Sequence, residues 1–273
     1  MTPEEYELLK HKINQLIRID LEYYRPNQMI RRLDGFISRR RIDSVEQFCA
    51  LIEKDPRELA ELQDFLTINV SEFFRDVQYF TFLEETVLPL LLKNHRALNV
   101  WSAGCSNGSE AFSVAMILEN IAPTGGHRII ASDIDDGSLN RGISGGPYYA
   151  ADVKNVPAKY LSRYFVRKDD TEYRVADEIR KRVRFKKHDL LKDAYEHDFD
   201  LIICRNVVIY FSEEAKQKLK NGFYKSLKPG GVLFIGATES MLDAHSFGFE
   251  KMHPSFYLKP ALSFEKVLTL QPV

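Results

Sequence analysis

The spacing of apolar residues changes near residue 98, and the two patterns predict two kinds of structure. Before that point apolar side chains recur every three or four positions, which is typical of amphipathic helices. Four such stripes occur, at Tyr6, Leu9, Ile13, Leu16 and Ile17; at Met29, Leu33, Phe36 and Ile37; at Val45, Phe48, Cys49 and Ile52; and at Leu59, Leu62, Phe65, Leu66 and Val70. Asp43 or Ser44 can cap the third helix, and Asp55-Pro56 ends it. A longer helix is predicted over 76–93, with a kink or break at Pro89.

After residue 98 short apolar runs alternate with helical patterns. The predicted strands are 98–102, 127–132, 183–186, 200–204 and 232–236. Strands that alternate with helices favour a parallel sheet covered on both faces. Between 157 and 183 this alternation stops, and two short apolar runs, 164–166 and 173–175, flank a polar stretch. That arrangement predicts an inserted antiparallel hairpin.

Composition and charge narrow the class of protein. The chain has 273 residues, of which 44% are hydrophobic and 28% charged, as in soluble globular proteins. No apolar run approaches the ~20 residues that cross a bilayer, and the first ten residues resemble no signal peptide, so we expect a cytoplasmic protein without membrane insertion. The net charge of −1 does not suit a general nucleic-acid binder. Cys49, Cys105 and Cys204 are too scattered for a disulfide framework or metal site, and reduced buried thiols are expected.

The turn after the first predicted strand contains the candidate ligand site. Gly104 and Gly108 are spaced G-x-x-x-G, which matches neither the dinucleotide fingerprint nor a phosphate-binding P-loop. Such a turn can also be a plain strand-to-helix connection. Asp133 ends the second strand, where an acidic residue can accept both hydroxyls of a ribose. Glu110 can pair with an ammonium group or complement the helix dipole. Ribose without phosphate suits S-adenosylmethionine.

Five segments resemble the CheR family, the S-adenosylmethionine-dependent methyltransferases of bacterial chemotaxis receptors. They are 67–75 (TINVSEFFR), 101–106 (WSAGCS), 131–135 (ASDID), 204–211 (CRNVVIYF), and 228–231 (KPGG) continuing through Thr238-Glu239. The resemblance extends from the first helices to about residue 260. It implies a Rossmann-like α/β methyltransferase domain with a small inserted antiparallel β-subdomain, preceded by an all-α N-terminal domain. The expected bounds are 1–80 for the helical domain, 81–97 for a linker helix, 98–262 for the methyltransferase domain with its insertion at about 158–183, and 263–273 for a tail.

The resemblance also implies residue roles. The implied cofactor contacts are Asn69, Ser71, Arg75, Gly104, Glu110, Asp133, Asp189, Leu190, Arg205 and Asn206. Arg75 and Tyr210 match the residues beside the transferable methyl group, which makes them the catalytic candidates. Many relatives have Asn at the position of Asp189. The glycine loop also departs from the family, since Ser109, Ala111 and Phe112 stand where relatives have Glu, Pro and Tyr, and Gly142 and Gly145-Gly146-Pro147 are unusual. These changes bear on cofactor affinity more than on fold.

The implied activity is methyl transfer to glutamate side chains of methyl-accepting chemotaxis receptors, which gives glutamate methyl esters and S-adenosylhomocysteine. A carboxylate is already a nucleophile at pH 7, so no general base is required. Two other readings stay open: a non-catalytic module that senses S-adenosylmethionine and binds receptors, and a methyltransferase with another acceptor. A DNA amine methyltransferase is disfavoured, because Cys204-Arg205-Asn206-Val207-Val208 does not match the expected Asp/Asn-Pro-Pro-Tyr/Phe.

A basic stretch occupies 25–41. Its six arginines are Arg25, Arg31, Arg32, Arg39, Arg40 and Arg41, against one acid, Asp34. On a helix Arg25, Arg32 and Arg39 share a face. That face can be simply solvated, can bind a nucleic-acid backbone, or can dock on an acidic protein partner. The resemblance favours receptor binding through Arg25, Arg31, Arg32 and Arg39. Since the hairpin loop 167–171 lacks glycine, we expect no need for a receptor C-terminal pentapeptide. A monomer is expected.

Overall fold

The computed structural model describes residues 1–67, 71–93, 95–239 and 241–261. The chain divides into two compact units, one of Met1–Asn69 with Val207–Lys218 and one of Val70–Asn206 with Leu219–Val273. The expected domain bounds stay a prediction. Across the described ranges, no helix combines the length and the apolar character needed to cross a membrane.

The first unit is helical, as predicted. It contains α1 (Pro3–Ile17), a 3-10 turn (Leu21–Tyr23), α2 (Pro26–Ser38), α3 (Val45–Lys54) and α4 (Pro56–Thr67). A capping box at Thr2 starts α1. Ser44 rather than Asp43 caps α3, because its hydroxyl accepts the N–H of Gln47 at 3.2 Å. Each predicted stripe contributes buried residues to the helix that contains it, while Val70 lies outside the described residues.

The helix predicted over 76–93 is irregular at its centre. It consists of α5 (Val77–Phe82), a π-helical turn (Leu83–Val87) and α6 (Leu88–Leu92). In the π turn the N–H of Leu88 bonds to the carbonyl of Leu83, five residues back. Pro89 comes next in the chain and has no N–H to donate. A regular α-helix would already lack one hydrogen bond there, so a widened turn at this point sacrifices little additional hydrogen bonding. The predicted disturbance near Pro89 is confirmed.

The second unit is built on a seven-stranded sheet. Its strands and those of the hairpin are β1 (Asn99–Ala103), β2 (Arg128–Asp133), β3 (Phe165–Arg167), β4 (Tyr173–Val175), β5 (Val183–Lys187), β6 (Phe199–Cys204), β7 (Leu227–Ile235), β8 (Glu250–His253) and β9 (Phe256–Leu258). The main sheet has the order β5-β2-β1-β6-β7-β9-β8, parallel from β5 through β7. Strands β3 and β4 form the predicted antiparallel hairpin.

The remaining helices connect these strands. They are α7 (Ser109–Ile121), α8 (Asp136–Ile143), α9 (Ala150–Val153), α10 (Ala158–Tyr164), α11 (Asp177–Arg180) and α12 (Glu213–Ser226). All five predicted strands are present. However, β7 begins at Leu227, five residues before the predicted start, and so includes the segment 228–231. Strands β8 and β9 pair antiparallel at the end of the sheet and were not predicted.

The topology decides where a ligand can bind. The parallel strands β5, β2, β1 and β6 all end at the same edge of the sheet, because parallel strands share one direction. In open α/β sheets, ligands bind in the crevice beyond the carboxyl ends of the strands. The loops that leave these four strands carry most of the predicted cofactor residues.

Candidate functional site

The loop after β1 is attached to the end of β2. The N–H groups of Gly104 and Cys105 both donate to the carbonyl of Ser132, at 2.8 and 2.9 Å. The N–H of Ser106 donates to the Asp133 carboxylate at 2.7 Å. These bonds hold the backbone of the loop against the residue predicted to bind a ribose.

The two loop glycines adopt left-handed backbone conformations, with φ of 76° at Gly104 and 83° at Gly108. A Cβ on Gly108 would also lie 2.7 Å from the ring of Phe185, so both the conformation and the space require glycine there. The Asn107 side chain accepts the N–H and the hydroxyl of Ser109, at 3.1 and 2.7 Å. Ser109, where relatives have Glu, thus helps to begin α7.

Glu110 lies in the first turn of α7 and is buried. One carboxylate oxygen accepts the hydroxyl of Ser102 at 2.8 Å, and the other lies 3.7 Å from Nη1 of Arg205. Burial raises the pKa of this carboxyl, while Arg205, the Ser102 hydroxyl and Arg75 oppose the rise. A buried acid of this kind is stabilised by a further cation.

Asp133 ends β2, and backbone N–H groups occupy both of its oxygens. Oδ2 accepts from Ser106 at 2.7 Å, and Oδ1 accepts from Asp135 at 3.1 Å. Burial raises the pKa of Asp133 in spite of these hydrogen bonds. Each carboxylate oxygen can accept a second hydrogen bond, so this position suits a pair of hydroxyl donors.

Arg205 follows β6, and its side chain is 2% exposed. Its Nη2 donates to the carbonyl of Arg75 at 3.0 Å and to the Asp76 carboxylate at 2.6 Å. The guanidinium also lies over the rings of Phe80 and Phe234, at 5.4 and 4.8 Å. Arg205 therefore joins the end of β6 to the segment that contains Arg75.

The segment around Arg75 is held by partners from several elements. The Glu72 carboxylate binds Lys154 at 2.9 Å and Asn155 at 3.0 Å. The N–H of Phe73 donates to the carbonyl of Asp152, and that of Phe74 donates to the hydroxyl of Ser113. Such anchoring keeps Phe74 and Asp76 in left-handed conformations that non-glycine residues rarely adopt. Ser71 is half-buried, and Asn69 lies outside the described residues.

Asn206 is fixed by a residue without a predicted role. Its backbone is left-handed, with φ of 58°, and its N–H donates to the Glu239 carboxylate at 2.7 Å. The N–H of Gly236 donates to the same oxygen at 2.8 Å. Glu239 is 5% exposed. The only sequence signal for it was its place in the last of the five resemblance segments.

The loop after β5 contains the residues expected beside adenine. Oδ1 of Asp189 accepts the N–H of Leu191 at 2.8 Å, a bond that an Asn at this position would also accept. Leu190 is buried and presents an apolar side chain. The departure from Asn to Asp thus preserves this turn.

Tyr210 and the basic helix belong to the first unit. Tyr210 lies in a 3-10 turn (Val208–Tyr210), is half-buried, and has the Arg32 guanidinium 5.6 Å from its ring. Arg32 also donates to the carbonyl of Phe65. Arg25 is exposed and pairs with Glu213 at 2.9 Å, while Arg31 and Arg39 are exposed.

The three cysteines are buried and free, as expected. Burial raises the pKa of Cys49, and raises those of Cys105 and Cys204 well above the ordinary value. Their thiols therefore stay protonated at neutral pH.

Comparisons with known proteins give matches over most of the chain. Residues 69–256 match the family described as "CheR methyltransferase, SAM binding domain", and residues 4–67 match "CheR methyltransferase, all-alpha domain". A "Chemotaxis protein methyltransferase" of Listeria monocytogenes is 38% identical over 257 residues, which cover 94% of this chain and 97% of that protein. The protein of the same name from Listeria innocua is 37% identical over the same shares. "Chemotaxis protein methyltransferase 1" of Pseudomonas aeruginosa is 32% identical over 87% of this chain and 90% of its own length.

The residues at the sheet edge fit S-adenosylmethionine. The hydroxyl of Ser106 and Nε of Arg205 are buried without a partner among the described residues. Two buried carboxylates with raised pKa values, Glu110 and Asp133, suit an ammonium group and a ribose. The left-handed Gly104 lets the ligand approach the backbone closely.

Proposed function

The chain belongs to the CheR methyltransferase family and is an S-adenosylmethionine-dependent methyltransferase, and from this premise we propose that it methylates glutamate side chains in the cytoplasmic domains of chemoreceptors. The observation that carries the proposal is the buried group formed by Glu110, Arg205 and the Arg75 segment within the matched domain. It supports the proposal because Arg205 lies 3.7 Å from Glu110, the acid that we propose pairs with the methionine ammonium.

The proposed cofactor contacts are those that the family resemblance implies, and the geometry of the described residues supports several of them. Glu110 pairs with the methionine ammonium, and Asp133 accepts the ribose hydroxyls. Gly104 contributes open backbone, Asp189 and Leu190 flank the adenine, and Asn206 contributes its side chain. Arg205 acts mainly by holding the Arg75 segment, since its Nη2 is already used there. The roles of Asn69 and Ser71 stay predictions from the resemblance.

The chemistry requires positioning more than acid–base catalysis. When bound, S-adenosylmethionine would supply an electrophilic methyl group on a sulfonium sulfur, which would keep the bonding electron pair when the methyl group moves to an acceptor oxygen. A glutamate acceptor is ionised at pH 7, so the protein has no proton to remove. Arg75 orients this acceptor carboxylate by a charge-assisted contact. The contact must stay weak in the ground state, because binding substrate and transition state equally gives no acceleration. A role for Tyr210 beside the methyl group stays a prediction.

The basic face of α2 suits a glutamate-rich partner. Arg31 and Arg39 are exposed, so their charges are available to a docking surface, while the exposed Arg25 is paired with Glu213. Arg32 is half-buried and engaged with Phe65, which leaves it less free to reach a partner. We propose that α2 binds the receptor region that contains the methylated glutamates.

The test uses methyl-labelled S-adenosylmethionine, a chemoreceptor cytoplasmic fragment and the full chain. We expect base-labile methanol release, which identifies a methyl ester. Release should be lost in Arg75→Ala and Asp133→Ala and kept in Arg184→Ala, which changes an exposed arginine of β5. No release from protein that binds the cofactor by calorimetry, with receptors from the same cell, would overturn the proposed acceptor and favour the sensing module.

A further inference from the structure

Tyr148 lies outside the predicted site yet contacts it directly. The residue is fully buried between α8 and α9. Its hydroxyl donates to the carbonyl of Asn107 at 2.6 Å. Asn107 lies in the glycine loop, one residue after the N–H that binds Asp133 and one before Gly108. The Tyr148 hydroxyl thus bonds the middle of the glycine loop to the segment between α8 and α9.

The ring of Tyr148 packs against the segment that contains Arg75. It meets Phe73 edge to face, with ring centroids 4.8 Å apart. The Arg141 guanidinium lies 5.1 Å from the same ring and binds the Asp152 carboxylate at 2.7 Å. The carbonyl of Asp152 in turn accepts the N–H of Phe73 at 3.0 Å. Both the ring and its neighbours therefore restrain the backbone two residues before Arg75.

The backbone of Tyr148 is joined to the inserted hairpin. Its N–H donates to Tyr173 of β4 and its carbonyl accepts from the same residue, at 2.9 and 2.8 Å. The N–H of Val175 donates to the carbonyl of Gly145. A Cβ on Gly146, whose φ is 131°, would lie 3.0 Å from the Tyr173 carbonyl. The unusual Gly145-Gly146 pair lets this segment lie against the hairpin, which places Tyr148.

We propose that Tyr148 is a positioning residue for methyl transfer: its hydroxyl holds the glycine loop and its ring holds the segment before Arg75. This inference rests on the proposed function. Burial raises the pKa of Tyr148, so its hydroxyl remains a donor throughout the neutral range. Without that donor the buried Asn107 carbonyl loses its side-chain partner, and the loop gains freedom that cofactor binding must remove again.

The chain offers a matched control. Tyr164 is also fully buried, but its hydroxyl has no hydrogen-bond partner among the described residues. Tyr148→Phe and Tyr164→Phe each delete one buried hydroxyl and keep the ring. Only the first removes a bond to the glycine loop. Circular dichroism should show both variants folded, because neither changes packing volume by more than one oxygen atom.

The measurement is the affinity for S-adenosylhomocysteine by calorimetry, with thermal unfolding recorded with and without this ligand. We expect Tyr148→Phe to weaken binding roughly fivefold to twentyfold. Without this buried hydrogen bond the glycine loop is less ordered in the free protein, and binding must supply part of the free energy that orders it. Tyr164→Phe should stay within about twofold of the wild type, since it breaks no hydrogen bond. A merely structural role would lower the melting temperature equally in both conditions, whereas positioning reduces the stabilisation that the ligand adds.

A second variant tests the ring contact. Phe73→Leu should lower kcat for receptor methylation more than it weakens S-adenosylhomocysteine binding, because it loosens the Arg75 segment and leaves the hydroxyl bond to Asn107. Unchanged affinity in Tyr148→Phe, or an equal loss in Tyr164→Phe, would overturn the assignment. If the wild type binds S-adenosylhomocysteine but transfers no methyl to the receptor fragment, the proposed acceptor fails while the binding comparison still decides the role of Tyr148.

Discussion

The basic face of α2 and the edge of the main sheet use arginine in opposite ways. Arg31 on α2 and Arg39 directly after it are exposed, and Arg25 directly before it pairs with a Glu213 side chain that is 71% exposed. At the sheet edge, Arg205 is 2% exposed and bonded to a carboxylate and a carbonyl. Exposed charges act over a distance and are screened by salt. A buried charge acts on its neighbours and depends on their positions.

This difference predicts different tolerance to change. A charge on α2 can be removed without disturbing its surroundings, because water replaces its partner. A charge at the sheet edge cannot, because its removal leaves buried partners unpaired. The α2 face is therefore suited to recognition, and the sheet edge is suited to fixing a ligand in one geometry.

The largest contrast is expected between Arg205→Met and Arg31→Met. The first removes the Arg205 guanidinium from Asp76 and Glu110 and should lower the free energy of unfolding by about 3 kcal/mol. This value is at the lower end for a broken buried ion pair, because Asp76 is partly exposed. The second should change it by no more than about 0.5 kcal/mol. Urea denaturation of both variants measures the difference, and equal effects would refute the comparison.

Gly108→Ala and Gly230→Ala separate backbone strain from packing at the loop. Both residues have positive φ, 83° and 82°, so both substitutions incur the left-handed penalty of about 1 kcal/mol. Only at Gly108 does the added Cβ meet a ring, that of Phe185, whereas nothing lies within 4 Å at Gly230. We expect Gly108→Ala to cost about 1–2 kcal/mol more in unfolding free energy and to weaken S-adenosylhomocysteine binding. A loss of affinity in Gly230→Ala as well would show that strain anywhere in the unit has this effect.

Cofactor affinity should decrease on acidification. The pKa values of Glu110 and Asp133 are raised in the free protein, so both acids begin to take up protons above their ordinary ranges. In the free protein, the contribution of these two acids to folding stability is present in full below their unfolded-state pKa values. It is lost as the pH rises through their higher folded-state pKa values. Because the bound ligand favours the ionised forms, affinity should fall as the pH is lowered through the raised pKa values of the two acids.

Calorimetry with S-adenosylhomocysteine in buffers of different ionisation enthalpy measures both this loss and the protons released. Glu110→Gln should bind more weakly at neutral pH and show a shallower pH dependence. Affinity that rises on acidification would contradict the assignment of both acids.

The smallest effects are expected on α2. Arg31→Ala with Arg39→Ala should raise the KM for a receptor fragment roughly threefold at low salt, with the difference shrinking as salt is added. The affinity for S-adenosylhomocysteine should not change. Arg184→Ala, an exposed arginine of β5, is the control for lost charge. A salt-independent loss would mean that these arginines act through packing rather than through long-range attraction.

The fold was predictable where its cause is local. The helices of the first unit and the five parallel strands were predicted from the spacing of apolar residues, which depends only on residues close together in sequence. Strands β8 and β9 were missed because both are short, β8 is mostly exposed, and Pro254-Ser255 between them is typical of a loop. The π turn was also beyond prediction, because only a kink can be inferred from Pro89.

The sequence indicated candidate ligand contacts at the site but not the residues that hold them in place. Glu110 and Asp133 occupy positions set by the strand–loop–helix pattern. Tyr148 and Tyr149 are adjacent and identical in type, yet one is fully buried and the other 49% exposed. Their difference depends on Asn107 and Tyr173, which lie far away in sequence. Glu239 likewise acquires its role from Asn206, 33 residues earlier, and no periodic pattern encodes such a pair.

The burial of all three native thiols has a practical consequence for labelling. The thiolate is the nucleophile that attacks an alkylating reagent, and burial disfavours this form at Cys49, Cys105 and Cys204. A cysteine introduced at Leu242, whose side chain is 94% exposed, would then be the reactive one. A single fluorophore could be attached there without removing any native cysteine, which gives the folded protein a clean optical reporter.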